Sequence, residues 1–342
     1  MSNDMKSRIL GLARKAKISE MEQTLQSAGV HWIECRYPSG DTPLHVAAQS
    51  GNIPVLRYLS EVCNSETNHV DITNLAGKTA LHEACQNSQP EAVAYLLSKG
   101  ANARAIKQAD WTPLMLACTK TGKKALACCQ LLLENGGSAL LRDKNKDGWN
   151  SIHVAVREGD TSIVKLLLEA DPDCKEVTMR SNNGRTPLHT AALHGCTEVV
   201  KQLLNISAVD LNSKDSCGAT PVHDAVRSGN VETFTTLVTA GANLSLLNKE
   251  GYGVHHMAAQ AGQCQMLETL SGLIKSDDGL GSFKTTPLHC AVRAGQIKSV
   301  ETLLAMGADP TKLDSWGRSC HDILPERNTP EIKSMLDNFQ QR

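Results

Sequence analysis

Thr186-Pro187-Leu188-His189-Thr190-Ala191-Ala192-Leu193-His194-Gly195 is the stretch on which the reading of this chain turns. A threonine before a proline suits a helix start: the hydroxyl can accept a backbone N–H, and proline takes the first helical position at no hydrogen-bond cost. The small apolar residues that follow permit close packing, and the glycine enters freely the left-handed conformation that ends a helix. A second helix follows in each copy, with apolar residues at helical spacing as in Ile163-Val164-Lys165-Leu166-Leu167-Leu168. A Gly-Ala-Asn or Gly-Ala-Asp exit (Gly100-Ala101-Asn102, Gly241-Ala242-Asn243, Gly307-Ala308-Asp309) then leads to a projecting finger that turns into the next unit.

The phrase recurs as Thr42-Pro43-Leu44-His45 and Thr286-Pro287-Leu288-His289, and its threonine or a substitute falls at 42, 79, 112, 150, 186, 220, 253, 286 and 319. The spacings are 37, 33, 38, 36, 34, 33, 33 and 33, a period of 33 with stretched units. A 33-residue period headed by T-P-L-H resembles the ankyrin repeat, over roughly residues 5 to 340. The expected fold is all-α: an ankyrin repeat solenoid of helix-turn-helix units with projecting β-hairpin fingers, nine anchored repeats plus an N-terminal cap. No such unit buries its apolar face alone, so the units must stack and the ends must differ from the middle. Residues 1–35 read as a degenerate capping helix pair (Ile9-Leu10-Leu12-Ala13, then Met21-Leu25), 36–317 as repeats and 318–342 as a capping repeat, in one continuous solenoid.

Net charge is −1 and pI about 6.9, so the charge balance demands neither nucleic acid nor a membrane surface as partner. No stretch reaches the roughly 18 apolar residues of a membrane span. A soluble, monomeric, cytoplasmic protein is expected, with the nucleus as a second location. The twelve cysteines include Cys85, Cys118, Cys196 and Cys290, at positions where other units carry small residues. They read as reduced core thiols in a reducing compartment. No zinc spacing occurs, and adjacent Cys128-Cys129 point to different faces of one helix, so no metal and no cofactor is expected.

Seven of twelve histidines (His45, His82, His153, His189, His223, His256, His289) are the fourth letter of the phrase, and a catalytic residue would occur once. The resemblance implies that these rings brace the fingers. His194, His255 and His321 have no nucleophile or triad spacing beside them. Asp277-Asp278 reads as a solvated charge pair, and phosphate-loop fingerprints are absent. No catalytic residue is assigned, and the chain reads as a non-enzymatic binding protein.

Function should lie where the units differ. The position before each threonine reads Asp41, Lys78, Trp111, Trp149, Arg185, Ala219, Tyr252, Thr285 and Arg318, with two consecutive tryptophans in a chain that has four. They can form an aromatic pair on the binding side, or each can pack along its own finger. Between residues 99 and 147 nine Lys or Arg face four acids, a net charge of +5. Lys120 and Arg157, expected on the first helices of their units, and Lys146 should face the same way as the two tryptophans. The basic run reads either as a solvated face or as a docking surface for an acidic partner.

Lys107-Gln108-Ala109-Asp110-Trp111-Thr112-Pro113-Leu114-Met115, Lys144-Asn145-Lys146-Asp147-Gly148-Trp149-Asn150-Ser151 and Arg157-Glu158-Gly159-Asp160 depart from the general consensus. They resemble the corresponding strings of ankyrin-repeat cofactors of alanyl-tRNA synthetase. That resemblance implies docking on the synthetase catalytic domain, with misactivated serine taken up on lysine side chains so that alanine tRNA is not mischarged. Lys146 matches an acceptor position directly. Gln108 stands where another acceptor is expected, leaving Lys107 as a substitute, and Lys175 matches approximately. The alternative is a general scaffold or inhibitor that masks an unrelated protein through the concave face that finger tips and first helices form in ankyrin arrays.

Overall fold

Copies of the phrase open helices in the computed structural model, which describes residues 3–62, 69–273, 283–325 and 329–339. Asp277-Asp278 lies outside these residues. Thr79 shows why the start is sharp: its hydroxyl accepts the His82 N–H at 3.4 Å, and the His82 Nδ1 accepts the Thr79 N–H at 3.1 Å. Two otherwise orphaned donors at the helix start are thereby satisfied. Because Nδ1 accepts, Nε2 carries the proton, and it donates to the Trp111 carbonyl of the next unit at 3.2 Å. His45 reaches Lys78 in the same way (2.8 Å), His189 reaches Ala219 (3.1 Å), His256 reaches Thr285 (2.8 Å) and His289 reaches Arg318 (3.1 Å). Each of these rings fixes its own helix start and the finger of the following unit.

The described chain divides into two compact units, Met1–Ser181 and Asn182–Arg342. The first stacks the helix pairs Asn3–Arg14 and Ile18–Ala28, Pro43–Ser50 and Ile53–Val62, Ala80–Gln86 and Pro90–Ser98, Pro113–Ala117 and Lys123–Gly136, and Ser151–Glu158 and Thr161–Glu169. Ile9, Leu10, Ala13 and Met21 are fully buried in its first pair. The second unit stacks Pro187–Leu193 and Thr197–Leu204, Pro221–Ser228 and Val231–Thr239, Val254–Ala261 and Cys264–Leu273, and Pro287–Arg293 and Ile297–Ala305. It closes with a 3-10 turn, Cys320–Ile323, and the helix Thr329–Phe339, which buries Ile332 and Leu336. In that last copy Asp322 replaces the histidine, and its carboxylate accepts the Ser319 N–H at 2.7 Å.

The fingers are tight turns closed by one bond between their first and fifth residues, as in Asn74 N–H to Lys78 O and Asp215 N–H to Ala219 O. Successive fingers are joined by single bonds such as Leu75 N–H to Ser39 O and Gln108 N–H to Ala76 O. Among the described residues they do not lengthen into strands; Lys107 and Trp111 form one isolated antiparallel bridge. The fourth finger position is left-handed and usually glycine: Gly77 has φ +72°, and a Cβ there would lie 3.3 Å from the Lys107 Cα. Asp110 and Lys284 hold this position without being glycine, at φ +59° and +52°.

A side chain just before the second helix ties neighbouring units together. Gln89, Gln263 and Gln296 each donate to the closing carbonyl region of the preceding first helix, at Gln49, Arg227 and Gln260. One unit inverts this device: Asp160 accepts the Gly122 N–H at 2.7 Å. The donor, Gly122, lies in the basic run 99–147.

The described cysteines are free thiols. Cys85, Cys128, Cys129 and Cys290 lie within helices and are buried, and burial pushes the Cys128 and Cys290 thiols up to about 12. Cys128 and Cys129, although adjacent, are both fully buried, and the Cys129 sulfur lies 3.9 Å from that of Cys118. Cys118 ends its helix, and Cys196 lies in the turn before Thr197–Leu204 and is half-buried.

Candidate protein-docking face

Two neighbouring fingers bring the sequence-derived residues together. In the first, the Lys107 N–H donates to the Trp111 carbonyl at 3.0 Å; in the second, the Asn145 N–H donates to the Trp149 carbonyl at 2.9 Å. They are joined by the Lys146 N–H, which donates to Ala109 O at 3.0 Å. Lys107 and Lys146 are therefore carried on fingers in direct backbone contact, with the Lys146 side chain exposed and that of Lys107 half-buried. Lys107 Nζ lies 5.6 Å from the centre of the Trp111 ring. Burial, helped by the charge of Lys78 and opposed by Glu83, holds the Lys107 amine below the usual lysine range.

Trp111 and Trp149 are both half-buried and are not in ring contact. Each is held on its own unit: Trp149 stacks on His153 at 6.0 Å, and the Arg157 guanidinium lies 5.9 Å from its ring centre. Arg157, in the last turn of Ser151–Glu158, also bonds Glu158 at 2.6 Å. Lys120, expected on a first helix, lies beyond one. Pro113–Ala117 is only five residues long, because the extra residues after Cys118 peel the chain away early. They form an exposed turn carrying Lys120 that ends at Gly122, φ +87°, where Lys123–Gly136 begins. Met115 takes the histidine position in this unit, so no ring reaches forward to brace the Trp149 finger.

Lys175 lies apart from the finger pair, in consecutive turns after Thr161–Glu169. The Asp171 carboxylate pins those turns by accepting the N–H groups of Lys175, Glu176 and Val177 at 2.9 to 3.1 Å. The Lys175 amine is exposed and pairs with Asp173 at 2.9 Å. Gln108 faces backward, its side-chain amide donating to Leu75 O at 3.2 Å. The basic run is partly neutralised, since Arg104 pairs with Asp143 and Arg142 lies 3.7 Å from Glu176. Among the described residues no cluster of three or more His, Cys, Asp or Glu could hold a metal ion, and no helix is long and apolar enough to cross a membrane.

The family profile "Ankyrin repeats (3 copies)" matches residues 12–107, 102–178, 173–248 and 237–314. The chain belongs to the ankyrin repeat family. Among curated ankyrin-containing relatives, the B-cell lymphoma 3 protein homolog of Mus musculus is 33% identical over 211 residues, 61% of this chain and 46% of that protein. The transient receptor potential cation channel subfamily A member 1 of Drosophila melanogaster is 26% identical over 89% of this chain and 22% of its own length. The chain thus covers less than half of the length of either. A crystal structure of the ankyrin repeat domain of Bcl-3, described as a unique member of the IkappaB protein family, superposes with a TM-score of 0.56 at 29% identity, covering 68% of this chain and all of that one. Ankyrin repeats are protein-interaction units, and the chain is a protein-binding scaffold of that kind.

Sequence reasoning missed one ankyrin finger pair. Phe283 and Trp316 occupy the third position of successive fingers, and their rings lie 5.2 Å apart with both side chains exposed. The signal was present as two aromatics 33 residues apart, one full period.

Proposed function

We propose that the chain is a cofactor of alanyl-tRNA synthetase. It docks on the catalytic domain through Trp111, Trp149, Lys120, Arg157 and Lys146, and captures misactivated serine on Lys107, Lys146 or Lys175. The strings around these residues resemble ankyrin repeat domain-containing protein 16. The observation that carries the reading is the junction of the two fingers, which sets the half-buried Lys107 amine and Lys146 on adjoining turns beside Trp111 and Trp149.

The chemistry needs no catalytic base beyond solvent. A neutral lysine amine attacks the carbonyl carbon of seryl adenylate; the new C–N bond forms as the carbonyl–phosphate C–O bond breaks, AMP leaves and the amine gives up a proton. An ordinary lysine of pKa about 10.4 is neutral only about one time in a thousand near pH 7.4. The partial burial of Lys107 raises that fraction. Proximity on the docked surface supplies the remaining advantage. Lys107 takes the place of the lysine that Gln108 replaces.

Two measurements test the reading. The purified protein and the synthetase catalytic domain should associate at near-physiological salt, with Trp111→Ala and Trp149→Ala each costing on the order of 2 kcal/mol. Incubation with serine and ATP should then leave seryl adducts on Lys107 and Lys146, found by peptide mass spectrometry. Failure to associate would leave a scaffold for another protein, and binding without adducts would leave docking alone.

A further inference from the structure

We infer that the Phe283–Trp316 fingertip pair is a second, independent docking surface, built for a protein segment that presents an aliphatic anchor flanked by carboxylates. The two rings stand on consecutive fingers at the third position, where the other fingers carry Ser39, Ala76, Ala109, Asp147, Asn183, Cys217 and Glu250. Their fingers are joined by the Ser315 N–H, which donates to Phe283 O at 2.8 Å. Trp316 is the most exposed of the tryptophans, at 59%, and Phe283 is exposed at 44%. Leu313, beside them in sequence, is exposed as well. Exposed apolar side chains at successive fingers cost solvation, and contiguous ones mark interaction sites.

The pair is preorganised. The Asp314 side chain accepts the N–H groups of Trp316 and Arg318, each at 2.9 Å, which fixes the turn. It also binds the Arg318 guanidinium at 2.8 and 3.0 Å, and that guanidinium lies 4.9 Å from the Trp316 ring centre. The indole is therefore in contact with both a neighbouring ring and a clamped cation. A rigid aromatic anchor loses little entropy on binding, the property of interface hot spots.

Charge selects the partner. Lys284 and Lys312 flank the rings in sequence, and Lys284 is exposed; among the described residues Asp314 is buried and already meets the charge of Arg318, and Asp309 accepts the N–H and hydroxyl of Thr311. The exposed Lys284 beside Phe283 favours a carboxylate-flanked segment. Lys284 occupies the left-handed finger position that glycine usually fills, so a cation stands beside Phe283 at the expense of backbone strain. Single-stranded nucleic acid would also use aromatic rings and cations. Residues 182–342 carry 14 Lys or Arg against 16 Asp or Glu, however, and lack the excess positive charge that phosphate neutralisation requires.

A displayed library of random twelve-residue peptides, selected on the full chain and counter-selected on the Trp316→Ala variant, tests this. Far-UV circular dichroism would first establish that the variant is folded. The expected outcome is enrichment of peptides with Leu, Ile or Met between Asp or Glu residues. Their affinity should drop at least tenfold on Trp316→Ala and severalfold on Lys284→Gly. Three outcomes overturn the inference: no Trp316-dependent peptide, enrichment of basic peptides, or a labelled oligothymidine that binds more tightly than the best peptide. Docking of the synthetase through residues 107–157 is unaffected by either result, because the two surfaces share no residue.

Discussion

His82 and His223 show how completely the phrase removes its histidines from chemistry. Burial pushes both rings down to about 4, so they are neutral at physiological pH. In the unfolded chain the same rings titrate near 6.5. Between those values the unfolded chain binds more protons than the folded one, so stability is present above about pH 6.5 and is lost as the pH falls toward 4. Each ring should cost on the order of 1 to 2 kcal/mol between about pH 7.5 and about pH 5. The urea midpoint should fall over that interval, and replacing His82 by Gln should flatten the slope. A midpoint that does not move between those pH values would mean that the rings are not buried as neutral groups. At Ala109 and Asp110 the residue scale points the other way: both hold positive φ without being glycine, in the finger that carries Lys107. Strain of this kind persists where the surroundings over-determine the backbone.

At the scale of the element, the helix Lys123–Gly136 is built against its own dipole. Lys123 and Lys124 sit in its first turn, which contains no acid, where the amide ends carry a partial positive charge. In the same unit the first helix is cut to five residues, the exposed turn with Lys120 is inserted and the forward-reaching histidine is lost to Met115. Replacing both lysines by glutamate should therefore stabilise the protein by about 0.5 to 2 kcal/mol, measured by thermal or urea unfolding. The same change should weaken association with the synthetase catalytic domain by an order of magnitude or more. A variant that is both less stable and equally able to bind would remove the charge argument. The helix starts, their glycine ends and the capping histidines were legible in the sequence because each is a local device repeated at a fixed period. The early end of Pro113–Ala117, and with it the true place of Lys120, was not, because an insertion shifts register and the sequence does not say which helix yields. Phe283 and Trp316 were not legible from the position before each threonine, because they stand two residues earlier in their fingers, where both are exposed.

Over the whole molecule the charges nearly cancel, 35 basic against 36 acidic residues, yet residues 99–147 hold a net +5. A local field on a neutral background acts chiefly on the rate of encounter, because it steers an acidic partner toward one face without attaching the protein to every polyanion. Exposed charges are screened over about 8 Å at physiological salt. The association rate with the synthetase catalytic domain should therefore fall on the order of tenfold between about 50 mM and about 300 mM salt, while the dissociation rate changes far less. Lys146→Glu and Lys120→Glu should lower the rate at low salt and flatten its salt dependence. Lys298→Glu, the same charge reversal at an exposed position of Ile297–Ala305 in the second unit, should leave it unchanged. Stopped-flow mixing of the purified proteins measures all three. If Lys298→Glu slows association as much as Lys146→Glu, the partner senses total charge, and the basic segment has no special part in docking.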